Sequence, residues 1–284
     1  MLTVLAPAKI NLTLEVLGKR RDGFHEIRSV IQAINLCDSL RFRLSRNVVF
    51  KSSAPGWIPE ESLVSKAAGL LQEAAGCDKG VIVEVDKRIP LMSGLGGDSS
   101  DAAAVLRGLN ELWELGLSRE ALLELATQLG SDVAFFLYGG TALAEGRGEK
   151  VTPLRPLPHR WVVLVVPPVS RTPGKTKRLY DRLEDSHYSD GQITRRLAGQ
   201  IEAGGEFAPS LLFNTFEKVA FTGDPELEVY RSRILKTGAT DVHLAGSGPA
   251  LFTLLEDRAE AEGLHERIQQ QGMDGYLTDT LSTM

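Results

Sequence analysis

The sequence predicts an α+β protein built in two parts, and three observations carry that expectation. Apolar and polar residues alternate from Lys9 to Leu17 and from Val81 to Ile89, the period-two signature of half-buried strands. Apolar residues recur at helical spacing from Ser62 to Ala75 and from Ser118 to Leu129. Pro153, Pro156 and Pro158 punctuate the middle of the chain and place the expected division between residues 1–157 and 158–284. A chain of 284 residues also favours roughly two domains on length alone.

Taken in order, Ile10, Leu12, Leu14 and Val16 face one side of the first strand, and Asn11, Thr13 and Glu15 the other. Gly18 to Gly23 is polar, bracketed by glycines, and reads as a loop. Extended stretches are expected from Ile27 to Ile34 and from Ser39 to Leu44, with a loop from Ser53 to Pro59. Leu63, Ala67, Leu70, Leu71 and Ala74 form the apolar stripe of a helix that Gly76 ends. Val81, Val83 and Val85 mark the next strand, closed by Pro90. A glycine- and serine-rich segment then leads into a helix with Val105, Leu109, Leu112 and Trp113 on one face. Ser118 suits an N-cap, Gly130 a helix end, and Ser131-Asp132 the start of another short helix. A buried strand is expected from Trp161 to Val166, and a glycine-rich turn at Ala245-Gly246-Ser247-Gly248-Pro249.

Composition excludes several classes. Lysine plus arginine is 32 and aspartate plus glutamate 37, a net charge of −5, which does not suit a protein that coats nucleic acid. The two cysteines, Cys37 and Cys77, are far apart and read as reduced, buried thiols of a reducing compartment. The five histidines show no zinc spacing. No basic region precedes the short apolar run at the N-terminus, so no signal peptide is expected. The apolar run from Trp161 to Val169 is too short to span a bilayer. The expectation is a cytoplasmic protein, monomer or homodimer, with neither nucleic-acid nor membrane partners.

Chemistry concentrates between Pro90 and Ala104. Gly94, Gly96 and Gly97 sit between a strand and a helix, with Ser99 and Ser100 at the helix start. Glycines let backbone N–H groups converge, and a helix N-terminus adds unpaired N–H groups and a positive dipole end. Serine hydroxyls complete a cradle for nucleotide phosphates. The segment is neither GxxxxGK[ST] nor GxGxxG. Asp98 and Asp101 lie where a cation could be held, or where they stabilise the helix dipole.

Three motifs occur in order: Pro7-Ala8-Lys9-Ile10-Asn11-Leu12, the segment Pro90 to Ala104, and Ala245 to Pro249. With them the chain resembles the GHMP kinases. Gly18-Lys19-Arg20-Arg21-Asp22-Gly23-Phe24-His25, Leu129 to Val133 and Gly139 to Glu149 narrow the resemblance to the branch whose acceptor is a cytidyl diphosphate of methylerythritol. The resemblance implies a two-domain α+β fold, with an N-terminal ATP-binding domain, a ferredoxin-like C-terminal domain and an active site between them. It implies transfer of the γ-phosphoryl group of ATP to the 2-hydroxyl of a cytidyl diphosphate substrate of non-mevalonate isoprenoid synthesis. Lys9 and Asp132 match the catalytic pair. Pro90, Gly94, Leu95, Gly96, Gly97, Asp98, Ser99 and Ser100 match the ATP-binding segment. Asn11, Phe24, His25 and Ser131 match acceptor-binding positions, and Gly246, Ser247 and Gly248 the glycine-rich turn. Mg²⁺ is implied with ATP, with Ser99 or Asp98 nearest. Phe24 stands where tyrosine is usual, Asp98 where glycine is common and Ser62 where asparagine is common; no second cytosine-stacking aromatic is evident in Ser170 to Thr176. The alternatives are a kinase for homoserine or mevalonate, a non-catalytic nucleotide sensor, and an RNA-binding module. The Phe24–His25 loop, the retained Lys9 and Asp132, and the net charge weigh against them in turn.

Overall fold

A computed structural model describes residues 1–169, 174–205 and 207–283. The chain forms two compact units. The first comprises residues 1–8, 36–91 and 96–138; the second comprises 9–35, 92–95 and 139–284. Two long strands, β1 (Leu2–Lys19) and β2 (His25–Ser45), contribute residues to each.

In the first unit, β3 (Val48–Ser52) runs parallel to β4 (Gly80–Asp86), and β4 pairs antiparallel with Ser39–Ser45 of β2. Helix α1 (Leu63–Ala75) packs on α2 (Gly97–Leu112), followed by α3 (Arg119–Leu129) and the single turn α4 (Phe135–Tyr138). The apolar stripe of α1 is buried through Val64, Ala67, Ala68 and Leu71, and Gly76 closes the helix at a left-handed φ of 56°. Helix α2 is buried nearly all round through Ala102, Ala103, Ala104, Val105 and Leu109. Gly108 lets it lie on the Phe42 ring: a Cβ there would come within 2.7 Å of that ring.

In the second unit, β5 (Thr141–Gly146) pairs antiparallel with Ile27–Gln32 of β2 and with β6 (Lys150–Pro153). The later elements are β7 (Trp161–Val165), α5 (Lys175–Tyr180), α6 (Gln192–Glu202), β8 (Phe213–Asn214), α7 (Glu217–Gly223), α8 (Pro225–Lys236), β9 (His243–Leu244), β10 (Leu251–Leu255), α9 (Arg258–Gln270) and β11 (Gly275–Asp279). Four of the strands form an antiparallel sheet in the order β11-β7-β10-β9. Val163, Val165, Leu251, Leu264 and Ile268 join its core. β8 runs parallel to β1 at Thr13 and Leu14.

The α+β expectation holds, and four details differ. The stretches expected at 27–34 and 39–44 form one strand, because β2 exchanges partners along its length, from β5 to β4. The strand expected to reach Ile89 stops at Asp86, because the N–H groups of Arg88 and Ile89 donate to the Asp38 carboxylate instead of a ladder. Ser131 and Asp132 lie in a turn ahead of α4 rather than in the helix. Cys37 and Cys77 form no disulfide and are half-buried rather than buried. No helix among the described residues is long and apolar enough to cross a membrane.

Candidate active site

The first unit carries the glycine–serine segment from Gly96 onward. Helix α2 opens at Gly96, whose φ of 75° is left-handed, and no side chain caps it. The first N–H groups of a helix have no intrahelical partner, so this uncapped end presents donors and a positive dipole. Gly97 packs on the end of the preceding segment: a Cβ there would reach 3.0 Å from Ile89 Cγ2. The helix begins two residues before Ser99, so the serines lie inside its first turn instead of capping it. Ser100 is fully buried, and its Oγ is among the buried side-chain atoms with no hydrogen-bond partner among the described residues. Pro90 and Ser99 are half-buried.

Asp98, exposed in that first turn, is engaged by another helix. Its carboxylate accepts a hydrogen bond from Ser62 Oγ and, at 3.1 and 3.3 Å, from the Leu63 N–H. One carboxylate thus stands at the N-termini of α1 and α2, where negative charge is favoured. The two departures noted in the sequence, Ser62 and Asp98, are partners.

Behind this loop lies a buried ionic group. Lys87 Nζ contacts Asp38 Oδ2 and Asp101 Oδ2, the latter at 2.6 Å; the lysine side chain is 4% exposed and both carboxylates are at 0%. Asp38 Oδ1 accepts from the Arg88 and Ile89 N–H groups at 2.5 and 2.8 Å. Burial pushes the Asp101 carboxyl up to about 8, against the pull of Lys87 and with the repulsion of Asp38 and Asp98. Burial opposes the Lys87 charge, but Asp101 and Asp38 outweigh it and hold the ammonium above the usual lysine range. Asp101 is therefore committed to Lys87 rather than open to a cation. Sequence reading missed the group because Asp38 and Lys87 are distant in sequence and carry no motif. Asp132 and Ser131 are half-buried in the turn that follows Gly130.

In the second unit Lys9 to Asn11, Gly94 and the glycine-rich turn converge. Lys9 is 4% exposed and donates from Nζ to Asn11 Oδ1 at 2.7 Å. Its N–H donates to Leu95 O at 2.9 Å. A Cβ on Gly246 would lie 3.1 Å from Lys9 Nζ and 3.0 Å from Gly94 O; one on Gly94 would meet Ala245 O at 2.2 Å and Gly248 N at 2.9 Å. Glycine at 94 and 246 is thus required by backbone-to-backbone approach as well as by positive φ. Asn214 secures the turn, donating from Nδ2 to Leu244 O at 2.9 Å and Gly246 O at 2.8 Å. Ser247 Oγ lies 2.8 Å from Thr176 Oγ1.

A second cluster in this unit surrounds His25. Its ring stacks on Tyr180 at 4.6 Å and 17°, and Tyr188 lies 6.1 Å away. Burial and the nearby Lys19 charge lower the His25 pKa, which favours a neutral imidazole at pH 7. Phe24 is 53% exposed, with the Arg147 guanidinium 4.7 Å above its ring. The two tyrosines were missed because they lie beyond the stretch searched for a second aromatic, of which Ser170 to Pro173 fall outside the described residues.

The profile of the GHMP kinases N terminal domain matches residues 62–140, and that of the GHMP kinases C terminal domain matches residues 195–274. A Dehalococcoides mccartyi protein named 4-diphosphocytidyl-2-C-methyl-D-erythritol kinase is 51% identical over 284 residues, 100% of both chains. The chain belongs to the GHMP kinase family, in its 4-diphosphocytidyl-2-C-methyl-D-erythritol kinase branch. A Symbiobacterium thermophilum protein of that name is 40% identical, over 96% of this GHMP kinase and 98% of its own length. A crystal structure of 4-(cytidine 5'-diphospho)-2C-methyl-D-erythritol kinase superposes with a TM-score of 0.83 at 34% identity, covering 98% of this chain and 99% of that one. Homoserine kinase from Cytophaga hutchinsonii, at 20% identity and TM-score 0.75, shares the fold.

Proposed function

We infer that this GHMP kinase transfers the γ-phosphoryl group of ATP to the 2-hydroxyl of 4-diphosphocytidyl-2-C-methyl-D-erythritol. The observation that carries the reading is half identity over the full length to a protein of that name. The site residues are our assignment and rest on chemistry. Phosphoryl transfer needs positioning and charge neutralisation more than covalent catalysis. The uncapped start of α2 at Gly96 and Gly97, with the Ser99 and Ser100 hydroxyls, suits the phosphates of ATP. Lys9, held by Asn11, suits charge that develops on the transferring group. Asp132 suits the role of accepting or orienting the acceptor hydroxyl proton. The exposed Phe24 ring and the His25–Tyr180–Tyr188 cluster suit a cytosine, which stacks on aromatic faces.

Magnesium compensates the charge of ATP phosphates. The described residues include no group of three or more histidine, cysteine, aspartate or glutamate side chains that could hold a metal. We propose that the phosphates carry the ion, with Ser99 and Asp98 nearest in the chain. The division near residue 157 is our proposed boundary between the regions that the two family profiles match; the second compact unit has residues on both sides of it.

Replacing Asp132 tests the assignment. A folded Asp132→Asn protein is expected to lose at least about 10²-fold in kcat, as for removal of a general base or of the group that aligns the acceptor. Wild-type turnover by that protein would remove Asp132 from the mechanism.

A further inference from the structure

The Lys9–Asn11 contact continues into a buried chain of hydrogen bonds that no motif marked. Asn11 Nδ2 donates to Ser29 Oγ at 2.8 Å, and Ser29 Oγ donates to the Thr13 carbonyl at 2.5 Å. Thr13 Oγ1 accepts from the Val30 N–H at 2.9 Å and from Thr194 Oγ1 at 2.9 Å. The Thr194 N–H, near the start of α6, donates to Glu15 Oε2 at 2.7 Å. Lys9 and Asn11 are 4% and 5% exposed, and Thr13, Glu15, Ser29 and Thr194 are at 0%.

The direction of these bonds matters. An amide side chain can present either its oxygen or its NH₂ group to a neighbour. Ser29 has one proton, and the Thr13 carbonyl takes it. Its oxygen can then only accept from Asn11, so the Asn11 NH₂ group must face Ser29 and the amide oxygen must face Lys9. The flipped amide would point NH₂ at an ammonium and oxygen at oxygen. We propose that Ser29 is a positioning residue for phosphoryl transfer: it fixes the orientation of the Asn11 amide, which in turn directs the Lys9 ammonium.

This rests on the kinase reading, and a double-mutant cycle separates the two. Ser29→Ala is expected to lower kcat about tenfold with both KM values within about twofold, because the lost alignment acts on the transition state. Ser29→Thr keeps the hydroxyl and should restore turnover. In an Asn11→Ala background, Ser29→Ala should change kcat by less than about twofold, since residues acting through one another are not additive. Equal losses in both backgrounds, or undiminished kcat in Ser29→Ala, would overturn the inference and leave the kinase reading standing. Full turnover by Asn11→Ala would overturn the assignment of the Lys9–Asn11 pair and the inference with it. If Ser29→Ala proves insoluble, Ser29→Cys, whose sulfur is a weak acceptor, takes its place in the same cycle.

Discussion

The two units hold their glycine-rich segments by different means. In the first, the loop leading to α2 is anchored by charge: Lys87 between Asp38 and Asp101, all withdrawn from water. In the second, side-chain amides serve: Asn11, backed by Ser29, meets Lys9, and Asn214 secures the glycine-rich turn. A buried ionic group is costly to assemble and costlier to break, since a lost partner leaves an uncompensated charge. A satisfied hydrogen-bond network centred on side-chain amides contributes orientation instead. The charged group makes the start of α2 sensitive to pH and to loss of one partner.

The sharpest way to break this comparison is Lys87→Met. It leaves Asp38 and Asp101 facing each other without a cation, and unfolding free energy should fall by about 3–5 kcal/mol. Denaturant unfolding checks it, and a change under about 1 kcal/mol would mean the ionic group is not an anchor.

Asn214→Ala is the neutral counterpart. It strips side-chain partners from Leu244 O, Gly246 O and the Phe216 N–H. The expected loss is about 2–3 kcal/mol, as for buried polar groups left unsatisfied. The loss should be the same at pH 6 and pH 8, since no charge is removed; a pH-dependent loss would erase the contrast between the units.

The smallest expected effect is the most diagnostic. Asp101 binds its proton up to about 8, whereas a free aspartate releases it near 3.8. Through that window the unfolded chain has lost a proton the folded chain keeps. Asp101 therefore contributes stability that is full below the window and is lost as pH rises through it. Asp101→Asn keeps an acceptor for Lys87 without the proton, so its stability should fall less with pH between the two values. Parallel pH profiles of wild type and variant, by thermal unfolding, would show that Asp101 titrates normally.

How much was legible in the sequence follows the same division. Helix α1 was readable to its C-terminal end, because Gly76 is a local signal, whereas Ser62, read as its first residue, caps it instead; the glycine at 94 was readable as a turn residue. That Gly94 and Gly246 approach each other backbone to backbone was not readable, since the contact joins segments about 150 residues apart. The Lys87 group was invisible for the same reason, and it also explains why the strand ends at Asp86. Asp98 and Ser62 each read as an isolated departure from the family pattern. Only the fold reveals that they answer each other.

The measurement that tests the central claim most directly is ADP release with Mg-ATP and a panel of acceptors. The panel comprises 4-diphosphocytidyl-2-C-methyl-D-erythritol, homoserine, mevalonate and galactose. The account predicts turnover on the cytidyl compound alone. Turnover on another acceptor, with none on the cytidyl compound, would contradict it.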